Sequence, residues 1–438
     1  MKFTKESFIT GFALFSMFFG AGNLLLPPML GYNSGEDWFI VALGFIITAV
    51  VIPLLGILAH ARLQGTMFDF AKKVSPIFSA VYCIIVYIIS VAIPSPRTAA
   101  ATYETVIQPN FENIGSLLNS TIYFGLVLVF VLNRSKILSL LGKYLTPLIV
   151  SILLLVIGIG LFSAEQIVNP TEKLSFFQGL IEGYQTFDAI GAVVIGGVII
   201  ISLNLRGHTT FEAKKYLISR SGFIAGFGLL IMYAGMIAAG AYFRSEIVVD
   251  QALSSDLQRA QLLNTISLAA LGNIGSTFLS FLIGLACFTT AVGITTGTAD
   301  YFKGLFNDSK QVYLITAIIA CLIGVIVGQL NFGTIIHIGL PIIFMIYPIT
   351  IALIFLNVAP EKFATQSVFR TVVIVTILFS IPDCIRFITN ETTDLGQWAS
   401  GIRAFLPLGN EHFGWVLPAL VSFIISNIYV QLTAHKTA

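Results

Sequence analysis

The feature that most constrains this chain is the recurrence of long apolar segments along its whole length. A run of about 20 mostly apolar residues crosses the hydrocarbon core of a bilayer as one α-helix. The runs are too long and too uniform in polarity for transmembrane strands. The sequence therefore predicts an all-α polytopic membrane protein with about 12 transmembrane helices. The segments, numbered here as spans 1 to 12, cover residues 8–30, 38–59, 77–102, 117–132, 144–162, 176–203, 222–243, 273–297, 312–330, 333–357, 370–389 and 413–433.

The charge content agrees with a membrane protein and excludes several other classes. Only 10% of the 438 residues are charged, whereas soluble domains carry about 25%. The 23 Lys and Arg residues against 21 Asp and Glu leave a net charge of +2, so no nucleic-acid partner is indicated. Four cysteines stand apart without the spacing of a metal or redox site: Cys83, Cys287, Cys321 and Cys384. A soluble enzyme, a secreted module and a DNA-binding protein are all disfavoured.

The distribution of basic residues predicts the orientation of the chain. With the N-terminus inside, 17 of the 23 Lys and Arg residues fall on the inner side, as the positive-inside rule requires. One span more or fewer would invert every later loop and destroy this asymmetry, so both termini are predicted to be cytoplasmic. The other six basic residues fall outside or near an outer helix end, as do Trp38, Trp398 and Trp415: Arg97, Lys173, Arg244, Arg259, Arg386 and Arg403.

Span 1 contains residues that weaken a helix. Phe18-Phe19-Gly20-Ala21-Gly22-Asn23-Leu24 is followed by Pro27-Pro28, and in a helix interior Gly costs about 1 and Pro about 3 kcal/mol relative to Ala. Two interpretations are open: a break in the helix, or close packing on a neighbour through small residues. Span 6 favours the break, because polar residues also interrupt that span, at Gly183-Tyr184-Gln185-Thr186-Phe187-Asp188.

Interrupted helices at corresponding positions of two halves indicate a transporter binding site. Spans 1–5 and 6–10 are predicted to form two five-helix halves of opposite orientation, at residues 1–162 and 163–357, with accessory helices at 358–438. Unwound backbone is tolerated at membrane depth only where it faces a cavity or a ligand. Freed N–H groups attract a carboxylate, and freed carbonyls suit a small hard cation. We therefore expect one site for an amino acid and its coupling ion.

Four ordered motifs resemble those of a known family. The first, Phe19-Gly20-Ala21-Gly22-Asn23-Leu24 with Pro27-Pro28, resembles the signature of the bacterial branched-chain amino acid:cation symporters, the BrnQ-type LIVCS family. The resemblance covers spans 1 to 8 by motif, and the extra Pro94 departs from it. The other three motifs are Pro96-Arg97-Thr98-Ala99 running to Tyr103-Glu104, then Gly183-Tyr184-Gln185-Thr186-Phe187-Asp188-Ala189, then Cys287-Phe288-Thr289-Thr290-Ala291-Val292-Gly293.

The resemblance implies a fold and a function. The fold is a LeuT-like five-plus-five inverted repeat, with spans 1 and 6 broken and two accessory helices. The function is import of L-leucine, L-isoleucine and L-valine with Na⁺ across a bacterial plasma membrane, without a cofactor. Proton coupling, another neutral amino acid and, more distantly, a channel are the alternatives. The sequence has no phosphate loop of the form G-x-x-x-x-G-K-[ST], so ATP is not expected to drive transport. Its histidines are not clustered, which argues against an enzyme.

By resemblance, the two breaks are expected to bind the substrate. Small residues let a ligand approach the main chain of span 1 closely. Asn23 is interpreted either as a substrate contact or as the cap of the second half-helix. Tyr82, Tyr87 or Ile88 of span 3 is expected to form the opposite wall. The predicted substrate-binding residues are Phe19, Gly20, Ala21, Gly22, Tyr184, Gln185, Thr186 and Phe187.

The resemblance also implies a sodium site between spans 1 and 8. The hydroxyls of Thr289 and Thr290 are expected to join the backbone carbonyls of Ser16 and Phe19. Hydroxyl and carbonyl oxygens suit a hard cation. The alternative is that each hydroxyl bonds a carbonyl of its own helix, as threonines in membrane helices often do.

Three charged residues within the spans are candidates for coupling or gating. Asp188 is the one carboxylate well inside an apolar span, and it is predicted to balance the substrate ammonium, to take part in ion or proton coupling, or to cap the inner half of span 6. Arg97 and Glu104 are two helical turns apart, and so share one face of span 3 if the helix persists. They are interpreted as an outer gate or as a plain helix end.

Overall fold

The regular structure of the described residues is entirely helical. A computed structural model of the chain describes residues 4–111, 113–133, 146–163, 167–170, 174–205, 207–208, 210–245, 247–250, 253, 255–389 and 392–437. The all-α prediction is confirmed. Six of the basic residues used for the orientation lie outside the described residues, and the orientation of the termini stays a prediction: Lys2, Arg134, Lys136, Lys143, Lys173 and Arg206.

The α-helices are numbered here in chain order. The first eight are α1 Lys5–Phe18, α2 Ala21–Tyr32, α3 Trp38–Ile46, α4 Ile52–Leu63, α5 Met67–Ala71, α6 Pro76–Ala92, α7 Pro94–Thr102 and α8 Ser116–Leu132. The next five are α9 Thr146–Ser163, α10 Phe176–Tyr184, α11 Asp188–Leu205, α12 Phe211–Tyr242 and α13 Ser255–Leu305. The last five are α14 Lys310–Val327, α15 Phe332–Val358, α16 Gln366–Ile388, α17 Asp394–Phe405 and α18 Val416–Thr437.

Short irregular turns join several of these helices. Single π-helical turns at Ile47–Val51 and Tyr103–Ile107 extend spans 2 and 3, and α13 bends at Gly272, where φ is +66°. Within the described residues, nine helices are long and apolar enough to cross a membrane, and the bent pair α1 and α2 makes a tenth. Spans 4 and 5 correspond to the shorter apolar helices Ser116–Leu132 and Thr146–Ile159. The count of 12 and the inverted repeat stay predictions.

The outer faces of the helices suit a lipid environment. Along α8, one stripe of apolar side chains at helical spacing is about half exposed, because no other described element covers it: Leu118, Ile122, Leu126 and Val129. A stripe of this kind is costly in water and is solvated by acyl chains in a bilayer.

Span 1 is broken where its glycines begin. Helix α1 ends at Phe18 and α2 starts at Ala21, and the two helix axes differ by 69°. Phe19 has ψ of 81° and Gly20 is extended, with φ of −110° and ψ of −157°, so two residues leave the helix. Pro27 and Pro28 lie inside α2 and do not mark the break. Of the two interpretations of span 1, the break is the one observed.

Span 6 is broken at its polar residues. Helix α10 ends at Tyr184 and α11 begins at Asp188, and the connecting residue Phe187 has φ of +64°. Ser175 starts α10 with a capping box, because its N–H donates to Gln178 Oε1 at 2.6 Å. At both breaks, side chains bond peptide groups that a continuous helix would pair, since Asn23 accepts from the Gly20 N–H and Arg97 donates to the Gln185 carbonyl.

Glycines let the broken spans pack closely on spans 2 and 7. A Cβ added at Gly31 of α2 would lie 1.7 Å from the carbonyl oxygen of Ile237 on α12. A Cβ added at Gly240 of α12 would lie 1.9 Å from the carbonyl oxygen of Pro28 on α2. Such close helix contacts are typical of small residues in membrane proteins. The second half of span 1, α2, is thus held directly against span 7.

We expect the Gly240→Ala variant to lose about 1–3 kcal/mol of unfolding free energy, because its new Cβ overlaps a backbone oxygen that has no rotamer to move to. Gly125→Ala is the matched control, since a Cβ at Gly125 of α8 has no neighbour within 4 Å. That control is expected to keep or raise stability, because Ala favours a helix over Gly. Thermal denaturation in detergent measures both, and equal melting temperatures for the two variants would contradict the packing argument.

Candidate functional site

A small cavity of about 30 Å³ lies where the two breaks meet. Spans 1, 3, 6 and 8 supply its walls. Its apolar lining consists mainly of Met17, Phe18, Ile190, Val194, Ile195 and Ile294. Its polar lining includes Asn23, Arg97, Thr98, Thr186, Asp188 and Thr290. An apolar cavity with a few convergent polar groups is the usual form of a small-molecule site.

Asp188, at the start of α11, is held by side chains from two other spans. Asn23 Nδ2 donates to Asp188 Oδ2 at 2.7 Å, and the Tyr233 hydroxyl donates to the same oxygen at 2.9 Å. Asn23 and Tyr233 also contact each other. All three side chains are buried. The carboxylate therefore joins the broken parts of spans 1 and 6 to span 7.

Asn23 also closes the break in span 1. Its Oδ1 accepts a hydrogen bond from the N–H of Gly20 at 3.4 Å, while its Nδ2 contacts Asp188. One side chain thus makes both a local cap of α2 and a contact across the site, the two roles between which the sequence did not decide.

Arg97 reaches the break in span 6 from span 3. Its Nη1 donates to the carbonyl oxygen of Gln185 at 2.6 Å. Its guanidinium carbon lies 5.1 Å from the ring centre of Phe187 and 5.0 Å from that of Phe332. The side chain is only 2% exposed. Because Pro94 lacks an N–H, span 3 restarts there as α7, and Arg97 lies in the first turn of that helix.

Glu104 contacts the backbone of Phe332, the residue whose ring faces Arg97. Its Oε1 accepts a hydrogen bond from the N–H of Phe332 at 2.9 Å, at the N-terminus of α15. Residues 102 and 103 keep helical torsion angles, so Glu104 follows Arg97 by two turns, at the start of the π-helical turn Tyr103–Ile107. Both residues contact Phe332 of span 10, and the outer gate stays a prediction.

A second group of oxygens lies between α1 and α13. Thr289 Oγ1 is 2.7 Å from the carbonyl oxygen of Ser16 and 3.0 Å from Ser16 Oγ. Thr290 Oγ1 is 3.2 Å from the carbonyl oxygen of Met17. Both hydroxyls also lie within 3.4 Å of the carbonyl of Ala286 in their own helix. Each threonine hydroxyl therefore contacts both a carbonyl of span 1, as an ion site needs, and a carbonyl of its own helix.

A carbonyl that was not foreseen lies beside Thr290. It is that of Met17, whereas the sequence predicted the carbonyl of Phe19, whose part in the ion site stays a prediction. Helix α1 ends at Phe18, so the Phe19 peptide has turned out of the helical direction, with ψ of 81°. The carbonyls that point along the axis at the end of α1 are those before the break.

Other predicted residues pack behind the cavity. The ring of Phe19 stacks on Phe15 at 5.0 Å, and that of Tyr184 lies 4.4 Å from Tyr347. The side chain of Gln185 donates to Glu182 at 3.2 Å, so only its carbonyl faces Arg97. A Cβ at Gly22 would lie 2.3 Å from Arg97 Nη2, and one at Gly20 would lie 2.8 Å from Thr290 Oγ1. The backbone of Ala21 begins α2 between these two contacts.

Span 3 contributes different residues from those expected. Tyr82 bonds Thr350 at 2.8 Å, Tyr87 stacks on Tyr301 at 4.5 Å, and Ile88 is exposed. The cavity is instead lined by Ser90, Pro94, Arg97 and Thr98, further along the span. The opposite wall of the cavity therefore lies further along span 3 than predicted.

Two tyrosines in the site were not foreseen. Tyr233 binds Asp188, and the Tyr347 hydroxyl accepts from the N–H of Ala189 at 3.1 Å, at the first turn of α11. Both lie in otherwise apolar spans. Their only signal in the sequence is a hydroxyl in an apolar run, which buried tyrosines of many proteins share.

Comparison with known proteins identifies the chain. The family model described as branched-chain amino acid transport protein matches residues 3–433. The branched-chain amino acid permease BraB of Bacillus subtilis is 31% identical over 97% of this chain and 95% of its own length. The branched-chain amino acid transport system 2 carrier protein of Pseudomonas aeruginosa is 30% identical over 96% of this chain and 95% of its own length. These relatives are transport proteins and not enzymes.

Solved structures show the fold. A substrate-bound, outward-open Na⁺-coupled sialic acid symporter is similar with a TM-score of 0.61 and 11% identity, over 97% of this chain and 89% of that one. MhsT in complex with L-phenylalanine is similar with a TM-score of 0.55 and 15% identity, over 97% and 98%. The LeuT-like fold implied by the motifs is confirmed. The chain belongs to the branched-chain amino acid transport protein family.

Proposed function

We propose that the protein imports L-leucine, L-isoleucine and L-valine by symport with Na⁺ across the bacterial plasma membrane. The observation that carries the proposal is the buried cavity where the breaks of spans 1 and 6 meet beside the oxygens of Ser16, Met17, Thr289 and Thr290. Family membership supports a branched-chain amino acid as substrate. In this proposal residues 1–162 and 163–357 are inverted repeats, 358–438 are accessory helices, and both termini are cytoplasmic.

The apolar wall of the cavity supports an aliphatic substrate. Met17, Ile190, Val194 and Ile294 offer contacts to a side chain without any polar group of their own. A pocket of this kind separates aliphatic side chains weakly, by about 1–3 kcal/mol per methylene. Leucine, isoleucine and valine are therefore expected to compete for one site.

A second cavity supports release to the inside. It measures about 250 Å³ and lies one turn further along the same three helices, between Tyr87 of span 3, Val198 of span 6 and Gly297 of span 8. The central cavity is lined by Ser90, Val194 and Ile294, each three or four residues before or after these. In the predicted topology this second cavity is on the cytoplasmic side, as alternating access requires for the exit path.

Sodium is the proposed coupling ion because hydroxyl and carbonyl oxygens converge between spans 1 and 8. Thr289 approaches the Ser16 carbonyl at 2.7 Å, and Thr290 approaches the Met17 carbonyl at 3.2 Å. Neutral oxygens of this kind suit a hard cation. A proton is the second candidate, favoured by the buried carboxylate of Asp188 at the junction of spans 1, 6 and 7.

Uptake of labelled isoleucine into proteoliposomes tests the proposal. We expect accumulation with an inward Na⁺ gradient, and none with an inward proton gradient when choline replaces Na⁺. Excess unlabelled leucine or valine is expected to block it, and proteoliposomes without protein are the control. Accumulation with protons alone would move the coupling role to Asp188. The absence of uptake under either gradient, with folded protein, would refute the proposed substrates.

A further inference from the structure

Arg97 is a buried cation whose hydrogen bonds are incomplete. A guanidinium has five N–H donors, and among the described residues Nη1 donates to the Gln185 carbonyl while Nε, which is buried, has no acceptor. Leaving a charged group desolvated and partly unbonded costs several kcal/mol unless a counter-charge completes its bonds. The guanidinium therefore keeps a donor available for an anionic partner.

The nearest carboxylate in the cavity is already engaged. Asp188 Oδ2 accepts from Asn23 and Tyr233, and in the described part of the chain no ion pair within 4.0 Å joins Asp188 to Arg97. Arg97 and Asp188 are the two charged side chains among the residues that line the central cavity. One cavity thus contains one positive and one negative group, held apart. A free amino acid carries the complementary pair, an α-carboxylate and an α-ammonium.

We propose that Arg97 binds the α-carboxylate of the transported amino acid, with Asp188 opposite it as the partner of the α-ammonium. The inference rests on the proposed function, whose substrates are zwitterions. It assigns recognition of the carboxylate to a side chain of span 3, in addition to the backbone of Gly20–Gly22 in span 1. A guanidinium binds a carboxylate through two parallel N–H···O bonds, which fix its orientation as well as its position.

The surroundings of Arg97 hold its guanidinium ready for this contact. The rings of Phe187 and Phe332 lie 5.1 and 5.0 Å from the guanidinium carbon, and cation–π contacts at these distances are favourable in a desolvated site. The Gln185 carbonyl fixes Nη1 at 2.6 Å. Little side-chain freedom is therefore left to lose when a ligand binds, which favours affinity.

Span 1 brings its own donors to the same place. A Cβ at Gly22 would lie 2.3 Å from Arg97 Nη2, so only glycine lets the first turn of α2 approach the guanidinium this closely. The first N–H groups of α2 have no partner within their helix, because the helix starts at Ala21. A carboxylate that contacts Arg97 beside this helix end is bound by a full charge and lies near the positive end of a helix dipole.

Binding measurements with purified protein and three ligands test the proposal. L-Leucine has both charges, L-leucinamide lacks the carboxylate, and 4-methylpentanoate lacks the ammonium. We expect wild-type protein to bind leucinamide on the order of 100-fold more weakly than leucine, the usual loss when a buried charge pair is broken. Arg97→Gln is expected to bind leucine more weakly than wild type by about the same factor. It is expected to bind leucinamide no more weakly than wild type does. Arg97→Lys keeps the charge but lacks the planar guanidinium, and its affinity for leucine is expected to lie between those of wild type and Arg97→Gln.

Arg370→Lys is the matched control. Arg370 also donates to a backbone carbonyl, that of Val74, at 2.8 Å, but it lies outside the cavity. Its substitution is expected to leave all three affinities unchanged. Equal losses of leucine and leucinamide in Arg97→Gln, or equal affinity of wild type for both ligands, would overturn the role of Arg97. If wild type binds none of leucine, isoleucine and valine, the proposed function itself fails and the assignment fails with it.

Discussion

Asp188→Asn is expected to lower the rate of branched-chain amino acid uptake by at least roughly 30-fold, because a charge pair broken in a buried site costs about 2–5 kcal/mol. Asparagine keeps the shape of the side chain and an amide oxygen for Asn23 and Tyr233. It removes the negative charge that faces the substrate ammonium. Initial uptake rates in proteoliposomes with equal amounts of folded protein measure the effect.

Asp383→Asn is the control for burying a neutral amide in place of a carboxylate. Asp383 is buried in α16, where its Oδ1 lies 3.0 Å from both Arg403 and His412, outside the central cavity. Breaking this pair is expected to lower the melting temperature while leaving the KM of the folded protein unchanged. Asp188→Asn is expected instead to leave the melting temperature unchanged and to change the KM. A wild-type KM and rate in Asp188→Asn would exclude Asp188 from the transport site.

Exchange transport separates two roles for Asp188. If its carboxylate binds the substrate, exchange of internal for external leucine is lost together with accumulation. If it carries a coupling proton instead, exchange without an ion gradient continues and only accumulation driven by the gradient is lost. Leucine counterflow in Asp188→Asn therefore decides between them.

Replacing both Thr289 and Thr290 by valine is expected to abolish sodium-driven accumulation. Valine keeps the branched shape of threonine and removes the hydroxyl oxygens that approach the carbonyls of Ser16 and Met17. Loss of even an outer contact to a bound metal costs about 10–100-fold in affinity. Loss of two direct ligands is therefore expected to raise the half-saturating Na⁺ concentration by at least roughly 100-fold. Uptake as a function of external Na⁺ measures this shift.

Thr298→Val is the matched control for those two threonines. Thr298 is buried in the same helix, and its hydroxyl donates to the carbonyl of Ile294 in its own helix at 2.9 Å. Its substitution removes one hydroxyl from α13 without touching span 1, and the Na⁺ dependence is expected to stay that of wild type. Unchanged sodium-driven accumulation in the double variant would contradict the proposed ion site.

The positions of the two breaks could be predicted from the sequence because local chemistry determines them. Glycine at residue 20 tolerates the extended conformation at the start of α2, and the polar run before Asp188 has no reason to stay in an apolar helix. The fold class follows from hydrophobic length alone. The break in span 3 also had a local signal, the proline at residue 94, whose effect on the direction of Arg97 needed the structure.

The contacts between spans could not be predicted in the same way. Tyr233 is 45 residues from Asp188 along the chain, and no local pattern marks the pair. The choice of Met17 over Phe19 beside Thr290 depends on one torsion angle at the end of α1. The contact of Glu104 with the N–H of Phe332 joins residues 228 positions apart along the chain. In each case long-range packing, and not local preference, decides the geometry.

The backbone of Phe187 has a consequence for the balance between open and closed states. Its φ of +64° lies in the left-handed region, which costs a residue with a side chain about 1–3 kcal/mol. The contacts that offset this cost come from other spans, since its ring lies 5.1 Å from the Arg97 guanidinium and against Gly339 of span 10. Any movement that draws spans 3 and 10 away from span 6 removes these contacts. The left-handed conformation of Phe187 is therefore offset best when spans 3, 6 and 10 pack together around the cavity, as they do in this structure.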